Sequence, residues 1–277
     1  MTQPRNSDPY ADARAFYGSE LRRLREDAGF SQDQLGQRAF CSGTYIGQFE
    51  TAVRRPQLEI SKLLDEALGS GEHLQRLCRL SRASKGVASY FADAADLQLR
   101  AKTISEYSPV LMPGLLQTEE YARAVVRAAQ PFAAEDKVEE FVRARVDRQQ
   151  LLDDTSHPLM WIVLQESTLW SHISGSAGMQ RQLMHVIEMA QRPRIIVQVL
   201  PFTAMAEAFM DGMVMLMDFS DAPPVVYTEG ARSGQLIEDT ALVESNWKSY
   251  DLVRAAALSP ASSLSLLEST AEGYGAR

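Results

Sequence analysis

Residues 30–56 read F-S-Q-D-Q-L-G-Q-R-A-F-C-S-G-T-Y-I-G-Q-F-E-T-A-V-R-R-P. Ser31 and Ser42 each stand where a hydroxyl caps the first turn of a helix, and Gln34, three residues after Ser31, completes a capping box. Gly36 between them lets two helix axes cross closely, which a side chain there would obstruct. Leu35, Ala39, Cys41, Ile46 and Phe49 have the spacing that locks two short helices to each other and to their neighbours. Few folds accommodate this pattern. The expectation is a small helical domain whose third helix turns a polar face outward, carrying Ser42, Gly43, Thr44, Tyr45 and Gln48.

The flanking chain fits that expectation. Residues 1–12 are polar, contain two prolines and read as a disordered arm. Phe16 or Tyr17, Leu21, Leu24 and Ala28 repeat at helical spacing before Gly29. A fourth helix is expected over 58–68, after Pro56 and before Gly69, and a fifth over 72–84. S-K-G-V-A-S-Y-F at 84–91 reads as a hinge. The domains expected are therefore a helical one over 13–87 and a second over 88–277.

A helix crossed in this way can set its outward face in the major groove of double-stranded DNA. The segment resembles the helix-turn-helix of the XRE, or phage-repressor-like, family. That family's S-Q-x-x-L-A and E-x-G-x-x-x-P patterns appear as Ser31-Gln32-x-x-Leu35-Gly36 and Glu50-Thr51-Ala52-Val53-Arg54-Arg55-Pro56. The resemblance covers roughly residues 15–70. It implies a phosphate contact for Gln32, base-edge contacts for Ser42, Gly43, Thr44 and Gln48, and backbone contacts for Arg54 and Arg55. A glutamine can pair bidentately with adenine, worth ~1–3 kcal/mol of discrimination. The alternative is a helical hairpin that packs without touching DNA. Phe40 and Ala52 stand where the family usually has glycine in a left-handed conformation. A side chain there costs roughly 1–2 kcal/mol, which leaves room for a different turn. Arg22, Arg23 and Arg25 read as a solvated face.

The 277-residue chain has a formal net charge of −8, unevenly spread. Residues 1–85 hold 13 basic and 11 acidic side chains, and residues 86–277 hold 15 and 25. A mildly basic binding element is thus attached to an acidic domain rather than embedded in one. No apolar run of about 18 residues suggests a membrane span. The N-terminus lacks a signal-peptide core, and two cysteines without a C-x-x-C pair fit a reducing, cytoplasmic location at the nucleoid. The four histidines have no metal-ligand spacing, and no phosphate loop or nucleophile motif occurs. The expectation is a protein that is not an enzyme and holds no cofactor or metal.

The second domain reads as mixed α/β with a small sheet of about four strands. Strand-like runs occur at 160–165, 194–200, 213–219 and 225–228. Helical patterns occur at about 92–105, 118–129, 135–152, 177–191, 240–257 and 260–269. The first two strands flank a helix, as in a βαβ unit. S-D-A-P-P between the third and fourth suits a hairpin. Glu139 and Arg143 have the spacing of an intrahelical pair. Arg145 and Arg148 share a helix side and could grip an acidic partner or the domain's own carboxylates. Met213, Met215 and Met217 alternate along one strand near Met210. They read either as core or as a ligand or partner groove.

Six ordered blocks, among them P-G-L-L-Q-T-E-E-Y-A-R-A (113–124), V-R-A-R-V-D-R-Q-Q-L-L (142–152) and P-V-V-Y-T-E-G (224–230), resemble the C-terminal domain of actinomycete WhiJ-type regulators. The resemblance implies an antitoxin-like regulator or repressor, modulated by a small acidic partner protein encoded nearby or by a signal. The need for two DNA half-sites adds a homodimer. A protein-neutralising antitoxin and a small-molecule receptor remain the alternatives.

Overall fold

In a computed structural model the chain forms two compact units, Met1–Ser84 and Lys85–Arg277. The structure describes residues 13–54, 56–81, 91–153, 158–205, 208, 210–220, 222–230 and 233–275. The expected N-terminal arm, Arg55, and the expected hinge up to residue 90 lie outside the described residues.

The first unit holds α1 (Ala13–Asp27), α2 (Gln32–Arg38), α3 (Gly43–Glu50), α4 (Leu58–Leu68) and α5 (His73–Ser81). Its core gathers Tyr17, Leu21, Leu35, Ala39, Ile46, Phe49, Leu64, Leu74 and Cys78. Of the two aromatic residues at the start of α1, Tyr17 is the one fully buried, and its hydroxyl lies 3.0 Å from Ser61 Oγ. α4 ends on Gly69 in the left-handed conformation. Buried Asp65 then starts α5 by accepting the backbone N–H groups of Leu74 and Gln75, both at 3.0 Å. A carboxylate on those N–H groups satisfies donors that a helix start leaves open.

The second unit is a six-stranded sheet in the order β3-β2-β1-β4-β5-β6. Its elements are α6 (Ala92–Gln98), β1 (Thr103–Ser108), α7 (Glu119–Ala129), α8 (Glu135–Gln149), β2 (Leu159–Gln165), α9 (Ser167–Trp170), α10 (Gly175–Ala190), β3 (Ile195–Leu200), β4 (Met213–Asp218), β5 (Val225–Gly230), β6 (Ser233–Ile237), α11 (Thr240–Ala256) and α12 (Pro260–Gly275). β2 and β3 are parallel around α10, and β4 and β5 form the hairpin. β1 runs parallel to β2 and antiparallel to β4. One sheet face packs on Met179, Leu183 and Val186 of α10 and Leu267 of α12. The other packs on Val243, Tyr250 and Val253 of α11.

Two strands exceed the four expected from sequence. β1 has the polar sequence T-I-S-E-Y-S, yet Ser105, Glu106 and Ser108 are all buried. The helix expected over 92–105 stops at Gln98, and the chain enters the middle of the sheet. β6 is a short edge strand, S-G-Q-L-I, with too little apolar alternation to read. Glu139 feels the charge of Arg143 on its own helix, but its strongest partner lies elsewhere. Arg123 of α7 donates to Glu139 at 2.6 Å, so the contact joins two helices.

Candidate nucleic-acid interface

Both helix starts form as their residues dictate. Ser31 Oγ accepts from Gln34 N at 3.1 Å, and Gln34 Oε1 accepts from Ser31 N at 2.8 Å. Ser42 Oγ accepts from Tyr45 N at 3.2 Å. Gly36 sits at the crossing. A Cβ there would lie 2.7 Å from Cys41 O and 2.9 Å from Ser42 C.

Both turns take the left-handed backbone that glycine favours, without glycine. Phe40 has φ 54° and Ala52 φ 55°, both left-handed. Cys41 N donates to Gly36 O at 2.9 Å past the first turn. Val53 N donates to Gln48 O at 2.9 Å past the second. The hydrogen bonds that close each helix end therefore hold two L-residues where glycine is preferred. Phe40 projects outward, 84% exposed.

The expected DNA-contacting residues separate into two groups. Ser42 and Thr44 are exposed and Tyr45 is half-buried, so the start of α3 is open to a ligand. Gly43 is buried: a Cβ there would meet Asp33 Oδ1 at 1.9 Å and Asp33 N at 2.8 Å. Its place is a seat on α2. Gln48 is 7% exposed, with an Oε1 that is buried and accepts no hydrogen bond. The side chain is turned into the protein, because its helix position faces inward once α3 is packed. Arg54 is 4% exposed, its guanidinium 5.2 Å from the Tyr45 ring centre, and Tyr45 in turn meets Phe49 edge-on at 4.9 Å. Arg54 thus lies over the Tyr45 ring.

Gln32 is half-buried, and its Nε2 donates to Glu50 Oε2 at 2.9 Å. Glu50 is the hub of a network missed in the sequence. Arg25 Nε donates to Glu50 Oε1 at 2.5 Å, and a second guanidinium nitrogen reaches Oε2 at 3.1 Å. A third donates to Phe30 O at 2.8 Å. Arg25 was expected on a solvated face with Arg22 and Arg23. Those two are exposed and pair with neighbouring acids of α1, whereas Arg25 ties α1 to the end of α3. The spacing of α1 alone carried no signal of this. Burial pushes the Cys41 thiol above its ordinary range, consistent with a packing role.

The second unit divides Met210, Met213, Met215 and Met217 between its two sheet faces. Met215 and Met217 are in the core on one sheet face, with half-exposed Met213 packed against the same cluster, and Met210 is buried on the other face. The four do not line one surface. Among the described residues no group of three His, Cys, Asp or Glu side chains gathers as a metal would need. No described helix is long and apolar enough to cross a membrane.

Comparison with known proteins returned two matches. Residues 17–85 match a family model described as a helix-turn-helix domain. A search of curated proteins found no match. A search of solved structures found none either. Residues 91–269 match the model described as a domain of unknown function, DUF5753. With well over half its length inside that model, the chain belongs to the DUF5753 family and carries a helix-turn-helix domain ahead of it.

Proposed function

We propose that this protein is a sequence-specific transcriptional regulator that binds double-stranded DNA through α3. Its DNA binding is set by a small protein partner or a signal acting on the C-terminal unit. The helix-turn-helix domain supports a DNA-binding regulator. The observation that carries the reading is the start of α3, where capped Ser42 and exposed Thr44 sit on a rigid seat. Ser42, Thr44 and Tyr45 are the residues we assign to the groove, and Arg55 to the phosphate backbone. Gln32, Gly43, Gln48 and Arg54 hold α3 in place.

Residues 1–85 carry a net charge of only +2, which predicts few phosphate contacts per copy and weak binding by one copy at physiological salt. A homodimer spanning half-sites about 34 Å apart would supply the rest. The protein then acts at the nucleoid, in the cytoplasm, as a binding protein rather than a catalyst.

Selection of genomic fragments by the purified full chain, followed by footprinting, tests this. A recovered site whose discrimination from random DNA drops roughly tenfold in Thr44→Ala supports base reading by α3. Equal affinity for all fragments would overturn it.

A further inference from the structure

Three sequence blocks outside the DNA-binding unit converge at one place in the second unit. The block at 113–124 follows β1, the block at 142–152 lies mostly on α8, and the block at 224–230 is β5. Arg145 donates to Gln117 Oε1 at 2.8 Å, and Gln149 Nε2 donates to Gln117 O at 2.5 Å. A Cβ at Gly114 would come within 3.2 Å of an Arg148 guanidinium nitrogen. The arginines are thus folded against the loop that leaves β1.

That loop leaves β1 at a particular point in the sheet. β1 is flanked by parallel β2 on one side and antiparallel β4 on the other, so the strand order reverses there. In open α/β sheets the carboxyl end of a strand beside such a reversal is where ligands bind.

The side chains at this end are charged, enclosed and incompletely satisfied. Glu106 of β1 is 2% exposed, and its one described hydrogen bond comes from Ser108 Oγ at 2.9 Å. Directly across from it in register is Met215, and across from that Tyr227. Gln98 is 2% exposed; its Nε2 touches Met215 Sδ at 3.3 Å, and its Oε1 is buried without a donor. On the other side of Met215, Phe91 meets Tyr227 edge-on at 5.3 Å, and the Arg148 guanidinium covers Phe91 at 4.8 Å. Arg148 Nε is buried with no acceptor, and the charges that act on this arginine are those of Glu106, Glu229 and Arg145. Glu229 completes the set, taking a hydrogen bond from Tyr227 at 3.3 Å.

Unmet charge in an interior costs several kcal/mol unless something pairs with it. Here the Gln98 oxygen and the Glu106 carboxylate lie next to Met215, and a guanidinium whose Nε lacks an acceptor lies beyond Tyr227 and Phe91, near Glu229. Facing residues in a sheet lie ~5 Å apart, and Glu106 and Arg148 are near enough for each charge to act on the other. A metal ion would meet two arginines, and a dianion would meet two carboxylates. We infer that this end of β1 binds a small zwitterion of the free α-amino acid class, its amine on Glu106 and Gln98 and its carboxylate on Arg148. This rests on, and deepens, the reading that a signal at the C-terminal unit sets DNA binding.

The test titrates the full chain, without DNA, with each proteinogenic L-amino acid in turn, following melting temperature and binding heat. Succinate and putrescine serve as singly signed controls. At least one amino acid should bind and raise the melting temperature, and the two controls should not. Glu106→Gln and Arg148→Gln should each weaken binding roughly tenfold or more. Gln98→Leu, which leaves every charge in place, should also weaken it and covers the case in which a charge variant fails to fold. No binding by any amino acid, binding by the controls alone, or unchanged affinity in all three variants would overturn the assignment. Because DNA is absent, a negative result leaves operator binding standing, and failure to find an operator leaves the amino acid result standing.

Discussion

Arg25 of α1 and Glu50, the last residue of α3, meet at 2.5 Å with side chains 10% and 3% exposed. The pair spans the helix-turn-helix from outside and closes on Gln32 of α2 as well. Removing one member strands the other as an interior charge, at a cost of ~3–5 kcal/mol. Glu50→Ala should therefore lower the melting transition of the N-terminal unit sharply. Arg25→Met with Glu50→Leu should cost less than Glu50→Ala alone, because no charge is left behind. Calorimetry of the three proteins measures the difference; a double variant worse than the single one would show the pair to be net stabilising.

Phe40 and Ala52 hold left-handed backbone that glycine adopts without strain. Phe40→Gly loses little apolar burial, since the ring is largely in solvent. It should stabilise the N-terminal unit by about 1 kcal/mol, and Ala52→Gly by somewhat less. Denaturant midpoints at unchanged slope test this. Loss of stability in both variants would mean that these turns do not carry the strain assigned to them.

Gly36 and Gly273 should respond oppositely to alanine. At Gly36 the new methyl would press on the backbone of Cys41 and Ser42, forcing α2 and α3 apart at a cost of about 1–3 kcal/mol. At Gly273, inside α12, a Cβ meets nothing within 4 Å. There the better helix former should be neutral or stabilising by up to ~1 kcal/mol. Only the Gly36 variant should lose DNA affinity in a gel-shift titration.

Glu106 gives the second unit a pH dependence. Burial pushes its carboxyl from an ordinary 4.5 up to about 7; the Ser108 hydroxyl and Arg148 oppose the rise, and Glu229 adds to it. Arg145 faces the same cluster through Arg148 and Glu229. Between those two values the folded state keeps a proton that the unfolded chain has released. Stability should thus fall as pH rises through that window. Glu106→Gln should flatten this part of the curve and raise the melting temperature most at about pH 8. A pH profile identical to that of the unaltered protein would remove Glu106 as its source. The same substitution is expected to weaken amino acid binding, so stability and ligand affinity should move in opposite directions.

Local spacing and chemistry determined much of this protein from sequence alone. Capped Ser31 and Ser42, the close crossing at Gly36, and the stops at Gly29 and Gly69 depend on neighbours within a turn or two. They specify the helix-turn-helix without help from the rest of the chain. Apolar β2, β3, β4 and β5 were legible for the same reason, since their burial is written in their composition. Tertiary structure alone decided what long-range packing controls. It made polar T-I-S-E-Y-S the central strand, because pairing on both edges outweighs the cost of burying Glu106. It turned Gln48 and Arg54 inward and left Thr44 outside, a choice set by how α3 rotates on its seat. It also carried Arg148 to Phe91 and Glu50 to Arg25. Such contacts join residues far apart in the chain, and no periodicity along a single segment encodes them.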